Sequence, residues 1–168
     1  SPGYAAEQRF VTGIGGSGVG QHPGSITRGL SNLTQLYMGL YCWFDPDFEY
    51  HPISNKLIII EPGNFHLQAR HNSNFFRLSS ESGSNQFGLT PDHNIDPCGM
   101  GWILLELLLD SVEGHTRVWV DGTLVNSRNG ALTTNWTEFK LDATYGGAGG
   151  TKVRDSWRRF DHILLATV

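Results

Sequence analysis

From residue 33 onward, apolar and polar side chains alternate along the chain with a period of two. Between residues 33 and 45, one set reads Gln35, Tyr37, Gly39, Tyr41, Trp43 and the other Leu36, Met38, Leu40, Cys42, Phe44. A wholly apolar set at every second position describes a strand with one face in a core. Asp45-Pro46-Asp47 breaks the pattern. Residues 57–60 (Leu-Ile-Ile-Ile) are apolar in both sets, which predicts a short strand covered on both faces, with Pro62-Gly63 as the turn after it. Phe65, Leu67 and Ala69 then alternate with His66, Gln68 and Arg70, and residues 75–79 predict the next strand. Residues 80–99 hold Ser, Gly, Asn, Pro and Asp at turn densities and read as one long connection.

Residues 102–112 are ambiguous, because Leu-rich runs also build helices. Ile103, Leu105, Leu107 and Leu109 form one set, and Trp102, Leu104, Glu106, Leu108 and Asp110 the other. The β-branched run Arg117-Val118-Trp119-Val120 ending in Asp121-Gly122 is a hairpin signal, and this context makes 102–112 a hairpin arm. Residues 137–144 and 160–167 supply two more alternating strands. No capped amphipathic helix of ordinary length is present. The prediction is an all-β, two-sheet antiparallel sandwich of the jelly-roll kind, one domain over residues 1–168 with a Gly-rich segment at 1–30.

Composition narrows the function. With 17% charged residues and a net charge of -4, the chain is a poor match for nucleic acid or an anionic membrane surface. No run of about 18 apolar residues predicts a membrane span. Residues 13–24 (GIGGSGVGQHPG) lack the GK[ST] ending of a phosphate loop and read as a surface loop. Cys42 and Cys98 make no framework, so one bridge and two free thiols both stay open. Ser1 reads as a processed end, with a leader or upstream domain expected before it.

The segments LYMGLYCWFDPDFEYHP with NKL, GWILLELLLD, RVWVDGTLV and YGGAGGTKVRDSWRRFDHILLA together resemble concanavalin A-like lectin/glucanase domains. The likeness is to their polysaccharide-lyase-like and laminin-G-like branch, met in bacterial and phage proteins, and covers about residues 30–168. It implies two curved antiparallel sheets with a glycan-binding concave face. It does not imply catalysis, because the same fold serves lectins, lyases, glycosidases and virion proteins. The E-x-D-x-x-E strand of the glucanase branch is absent. The run Phe65-His66-Leu67-Gln68-Ala69-Arg70 has the residue types of the lyase strands in a different pattern.

If the outward sets share one sheet, Tyr37, Tyr41, Trp43, His66, Gln68, Arg70, Glu106, Arg117 and Trp119 form a groove of flat rings and hydrogen-bonding groups suited to sugars. The competing reading is a solvated face or a subunit contact. A lyase would need Arg70 or Arg117 on a uronate carboxylate and His66 or a tyrosine such as Tyr41 as the base. The alternative for His66 is a polar surface residue. Glu106 and Asp110 lie about 13 Å apart along one strand, too wide for a glycosidase pair, which leaves Glu106 with Glu138 or Asp142. No His or Cys spacing suggests a resident metal. Asp45, Asp47 and Asp121 read either as turns or as oxygen donors to a structural calcium ion. The expectation is a non-catalytic carbohydrate-recognition or structural decoration module, extracellular or on a virion surface. Its partners would be a glycan or polysaccharide and other subunits in a homo-oligomer or lattice. The alternative is a lyase acting on an acidic, uronate-bearing glycan.

Overall fold

The computed structural model describes residues 6–14, 23–51, 54–62, 65–70, 75–80, 86–88, 97–129, 135–146 and 150–167. Along them run β1 (Ala6–Phe10), β2 (Ile26–Leu33), β3 (Gln35–Phe44), β4 (Ser54–Glu61), β5 (Phe65–Arg70), β6 (Phe75–Ser80) and β7 (Gln86–Gly88). They are followed by β8 (Trp102–Asp110), β9 (His115–Val120), β10 (Thr123–Asn129), β11 (Trp136–Leu141), β12 (Tyr145–Gly146) and β13 (Ser156–Ala166). There is no helix among the described residues. The first sheet has the order β1-β13-β3-β8-β9-β10, and the second runs β2-β11-β4-β5-β6-β7 with β12 added to β4.

The core lies between the sheets, and period-two alternation builds it. Leu36, Met38, Leu40 and Cys42 stand in register with Leu109, Leu107, Leu105 and Ile103, and all eight are buried. Val118 and Val120 extend this layer on β9. The second sheet meets it with Ile58, Ile60, Phe65, Leu67, Phe139 and Leu141. Removing this much apolar surface from water is the main force holding the sheets together. As expected, β4 is covered on both faces: Ile58 and Ile60 join the core, and Ile59, in register with His66 on the other face, is buried as well.

Long-range pairing settles the Leu-rich segment as strand, because β8 hydrogen-bonds β3 on one side and β9 on the other. Asp121 (φ 49°) and Gly122 (φ 75°) form the two-residue turn between β9 and β10, where Val120 pairs with Thr123. Two successive left-handed residues are what a hairpin of this length needs to match strand twist. Residues 80–99 are not one uninterrupted connection, since β7 within them pairs with β6. β1 and β2 carried no clear alternation. β1 sends Gln8 inward beside Phe10, and β2 is exposed along most of its length as an edge strand.

Polar groups are buried at one region of the interior. The Arg158 guanidinium is completely buried and donates to Lys56 O at 2.8 Å, Gln8 Oε1 at 2.8 Å and Asp142 O at 2.7 Å. It also lies 4.6 Å from the centre of the Phe10 ring. Lys152 is buried too, with Nζ donating to Glu49 O at 3.0 Å between the rings of Phe48 and Tyr145. The Gly-rich run begins at this place: Gly13 N donates to Lys152 O and Lys152 N to Ile14 O. Residues 15–22 of that run lie outside the described residues. Both cysteines are free thiols, Cys42 within the core and Cys98 donating from Sγ to Tyr50 Oη at 3.0 Å.

Candidate functional site

The outward residues of β3, β8, β9 and β13 share one face of the first sheet, and register sorts them into rows across the strands. Arg159, Trp43 and Trp102 form one row, and Asp161, Tyr41 and Leu104 the next. Gly39, Glu106 and Trp119 make a third row, followed by Tyr37, Leu108 and Arg117.

In the first row the Arg159 guanidinium lies 4.7 Å from the Trp43 ring centre while its Nε donates to Glu7 Oε2 at 2.7 Å. That arrangement half-buries Trp43 and leaves Trp102, 45% exposed, as the open ring. In the second row Tyr41 is 42% exposed. β13 slips register between Asp161 and Leu164, and His162 adopts φ 48° at the slip. The irregularity brings the His162 ring edge-on to Tyr41 at 6.0 Å and its Nδ1 to 3.2 Å from Asp161 Oδ2. Tyr41, Trp102, Asp161 and His162 thus line an open groove of about 500 Å³.

Further along the face, the Tyr37 phenol reaches over Gly39 and donates to Glu106 Oε1. The hydrogen bond to Glu106, aided by burial, pushes the Tyr37 phenol up to about 12. Tyr37 therefore keeps its proton at neutral pH and has no capacity as a base there. Asp110 is a turn cap. Its carboxylate accepts Glu113 N at 3.0 Å, Val112 N at 2.9 Å and Gln35 Nε2 at 3.0 Å, and it is held below the usual carboxylate range, first by the Glu113 amide.

The structure divides the nine residues expected in one groove. Tyr37, Tyr41, Trp43, Glu106, Arg117 and Trp119 lie together on the outer face of the first sheet. His66 and Gln68 lie on β5 in the second sheet, on its face away from the core, and both are buried. Arg70 is on the same strand, in backbone register with Phe75, and its side chain lies outside the described ones. The core layer separates His66 from Tyr41, so the trio of His66, Arg70 and Tyr41 is not assembled. The physical reason is strand order: β5 pairs with β4 and β6, whereas β3 pairs with β13 and β8. Glu138 and Asp142 likewise belong to or follow β11 of the second sheet, away from Glu106. Among the described residues no group of three or more His, Cys, Asp or Glu could hold a metal ion. Asp45 Oδ1 accepts the Asp47 amide at 3.1 Å, and Asp121 Oδ1 accepts the Leu104 amide at 2.8 Å. No sequence signal points to Asp161 and His162, because the bulge that places them breaks the period-two alternation that marks a strand.

This architecture is that of a concanavalin A-like jelly-roll sandwich. No family model matches the chain, and no curated protein matches its sequence. Solved structures match its fold. Alginate lyase vAL-1 from Chlorella virus superposes with a TM-score of 0.65 at 10% identity, covering 98% of this chain and 85% of its own. The cellulose-induced protein Cip1 gives 0.61 at 16% identity, covering 100% and 87%. Botulinum neurotoxin type C, whose cell entry depends upon interaction with two ganglioside molecules, gives 0.60 at 12% identity, covering 97% and 43%. The chain spans 14% of a similar sialidase and 64% of the family 7 alginate lyase AlgAT5.

Proposed function

We propose that the chain is a non-catalytic carbohydrate-recognition module that seats a sugar in the groove of Tyr41, Trp102, Asp161 and His162. The observation that carries this reading is the pair of open aromatic rings beside a carboxylate and an imidazole in one groove. Flat rings cover the C–H faces of a pyranose, and the polar pair meets its hydroxyls. Asp161 at the groove favours hydroxyl-rich neutral sugars over uronates, which would bring like charge to it. The carbohydrate-linked names among proteins of the same fold add support. The separation of His66 from Tyr41 and the locked Tyr37 phenol speak against elimination chemistry on this face. A recognition module of this kind belongs outside cells or on a virion surface, where it would decorate a larger assembly.

Titration with neutral, amino and uronate oligosaccharides, followed by tryptophan fluorescence, tests the reading. Trp102→Ala should cost about 1 to 2 kcal/mol of affinity for the bound sugar while the fold is kept, since its ring is 45% exposed on the outer face and outside the core. Unsaturated-uronate absorbance appearing on incubation with acidic polysaccharides would overturn the non-catalytic assignment.

A further inference from the structure

A separate trench follows the seam between the sheets, where β2 edges the second sheet and the last residues of β13 leave the first. Ile26, Arg28, Phe139, Ile163 and Leu165 line about 300 Å³ of it. It continues along β2 as a further 200 Å³ or so, bounded by Leu30, Ser31, Leu33 and Thr167, with Arg28 and Leu165 lining both parts. Among the described residues the seam stays open because β1 pairs with β13 only from Ser156 to Phe160, and β13 then slips register past Asp161.

Ile26 and Ile163 are 42% and 40% exposed at this trench, with the buried Phe139 ring also lining it. Two β-branched side chains held in water around an aromatic ring are favourable to cover. Arg28 is exposed beside them, and its guanidinium has no hydrogen-bond or ion-pair partner among the described residues. Arg9 and Arg159, by contrast, are paired with Asp155 and Glu7. An unpaired guanidinium beside an apolar slot is complementary to an anion carried on an apolar body. The trench is elongated, which suits a chain, and its apolar part offers few polar groups to a sugar.

We infer that the seam binds a single-chain amphiphilic carboxylate of the medium-chain fatty acid class, its chain against Phe139 between Ile26 and Ile163 and its carboxylate on Arg28. None of the four groove residues of the proposed sugar site takes part. The test titrates the whole chain, below micelle concentrations, with octanoate, decanoate, dodecanoate, decanol and decyltrimethylammonium, read by calorimetry and by isoleucine methyl shifts. Affinity should tighten up to about fourfold per methylene until the trench is filled. Decanol should bind about tenfold more weakly than decanoate, and the cationic amphiphile more weakly still. Arg28→Gln should abolish the preference for decanoate over decanol, Ile26→Ser should weaken both, and Trp102→Ala should change neither. Equal binding of the three head groups, an Arg28→Gln variant that keeps the preference, or loss of decanoate binding in Trp102→Ala would each overturn the inference.

Discussion

Arg158 shows most plainly how one side chain can organise this interior. Its fork spends three hydrogen bonds on acceptors from β1, β4 and the end of β11, so one guanidinium joins strands of both sheets. A buried cation of this kind is costly, and burial duly lowers its pKa to about 10. What repays the cost is the geometry of the acceptors together with the Phe10 ring. Arg158→Met should therefore destabilise the fold by about 3 to 5 kcal/mol, because Gln8 and two carbonyls lose their donor inside the core. Arg158→Lys should recover little, since one ammonium cannot reach three separated acceptors in a plane. Denaturant unfolding of both variants checks this, and a Lys variant as stable as the parent would show that charge, not the fork, is what the site needs.

At the scale of elements, the β9–β10 turn is held by conformation more than by contact. Gly122 sits at φ 75° and a Cβ added there would meet nothing within 4 Å. Gly122→Ala should thus cost about 1 to 2 kcal/mol from the left-handed backbone alone, seen as a lower denaturation midpoint with an unchanged slope. This turn was legible in the sequence, as were β3, β8 and β9, because their local patterns are decided by one buried face. β2 was not legible: an edge strand exposed on most of its positions has no reason to alternate. The site was legible in halves. Parity along each strand turns Tyr37, Tyr41, Trp43, Glu106, Arg117 and Trp119 outward, and the pairing of β3 with β8 and of β8 with β9 brings them onto one face. Whether His66 joined them depended on which strands become neighbours, and alternation within β5 carries no information about that. The His162 irregularity, which completes the groove, is a local departure from the very period that made the rest readable.

For the whole molecule, the buried and paired ionisable groups combine into a stability profile with a maximum on the alkaline side. Burial lowers Lys152 to about 8 from an ordinary value of 10.5. Between pH 8 and 9 the unfolded chain keeps a proton that the folded chain has released, so stability rises with pH. Above about 9 the Cys42 thiol, which burial pushes up, stays protonated in the fold while ionising in the unfolded chain, and the rise is cancelled. Above 10 the phenols of Tyr37 and Tyr145 ionise only in the unfolded chain. The first is held up to about 12 by its bond to Glu106, the second to about 12 chiefly by burial. Stability then falls, because Arg158, working in the opposite sense, offsets only one of these two groups. At the acid end, Asp155 is held at about 2 by the Arg9 guanidinium, with Thr12 assisting, so its contribution disappears as pH drops from 3.8 towards 2. Chemical denaturation across pH 2 to 12 should show this shape, with its plateau near pH 9 to 10. Lys152→Met should lose the rise between 8 and 9; it escapes the cost of burying a charge but leaves Glu49 O without its donor, so its stability at pH 7 should fall by about 1 to 3 kcal/mol. Glu49 would still accept the amides of Val153 and Arg154 in that variant. A parent protein whose stability already declines from pH 8, or a Met variant that retains the rise, would show that Lys152 is not the group responsible.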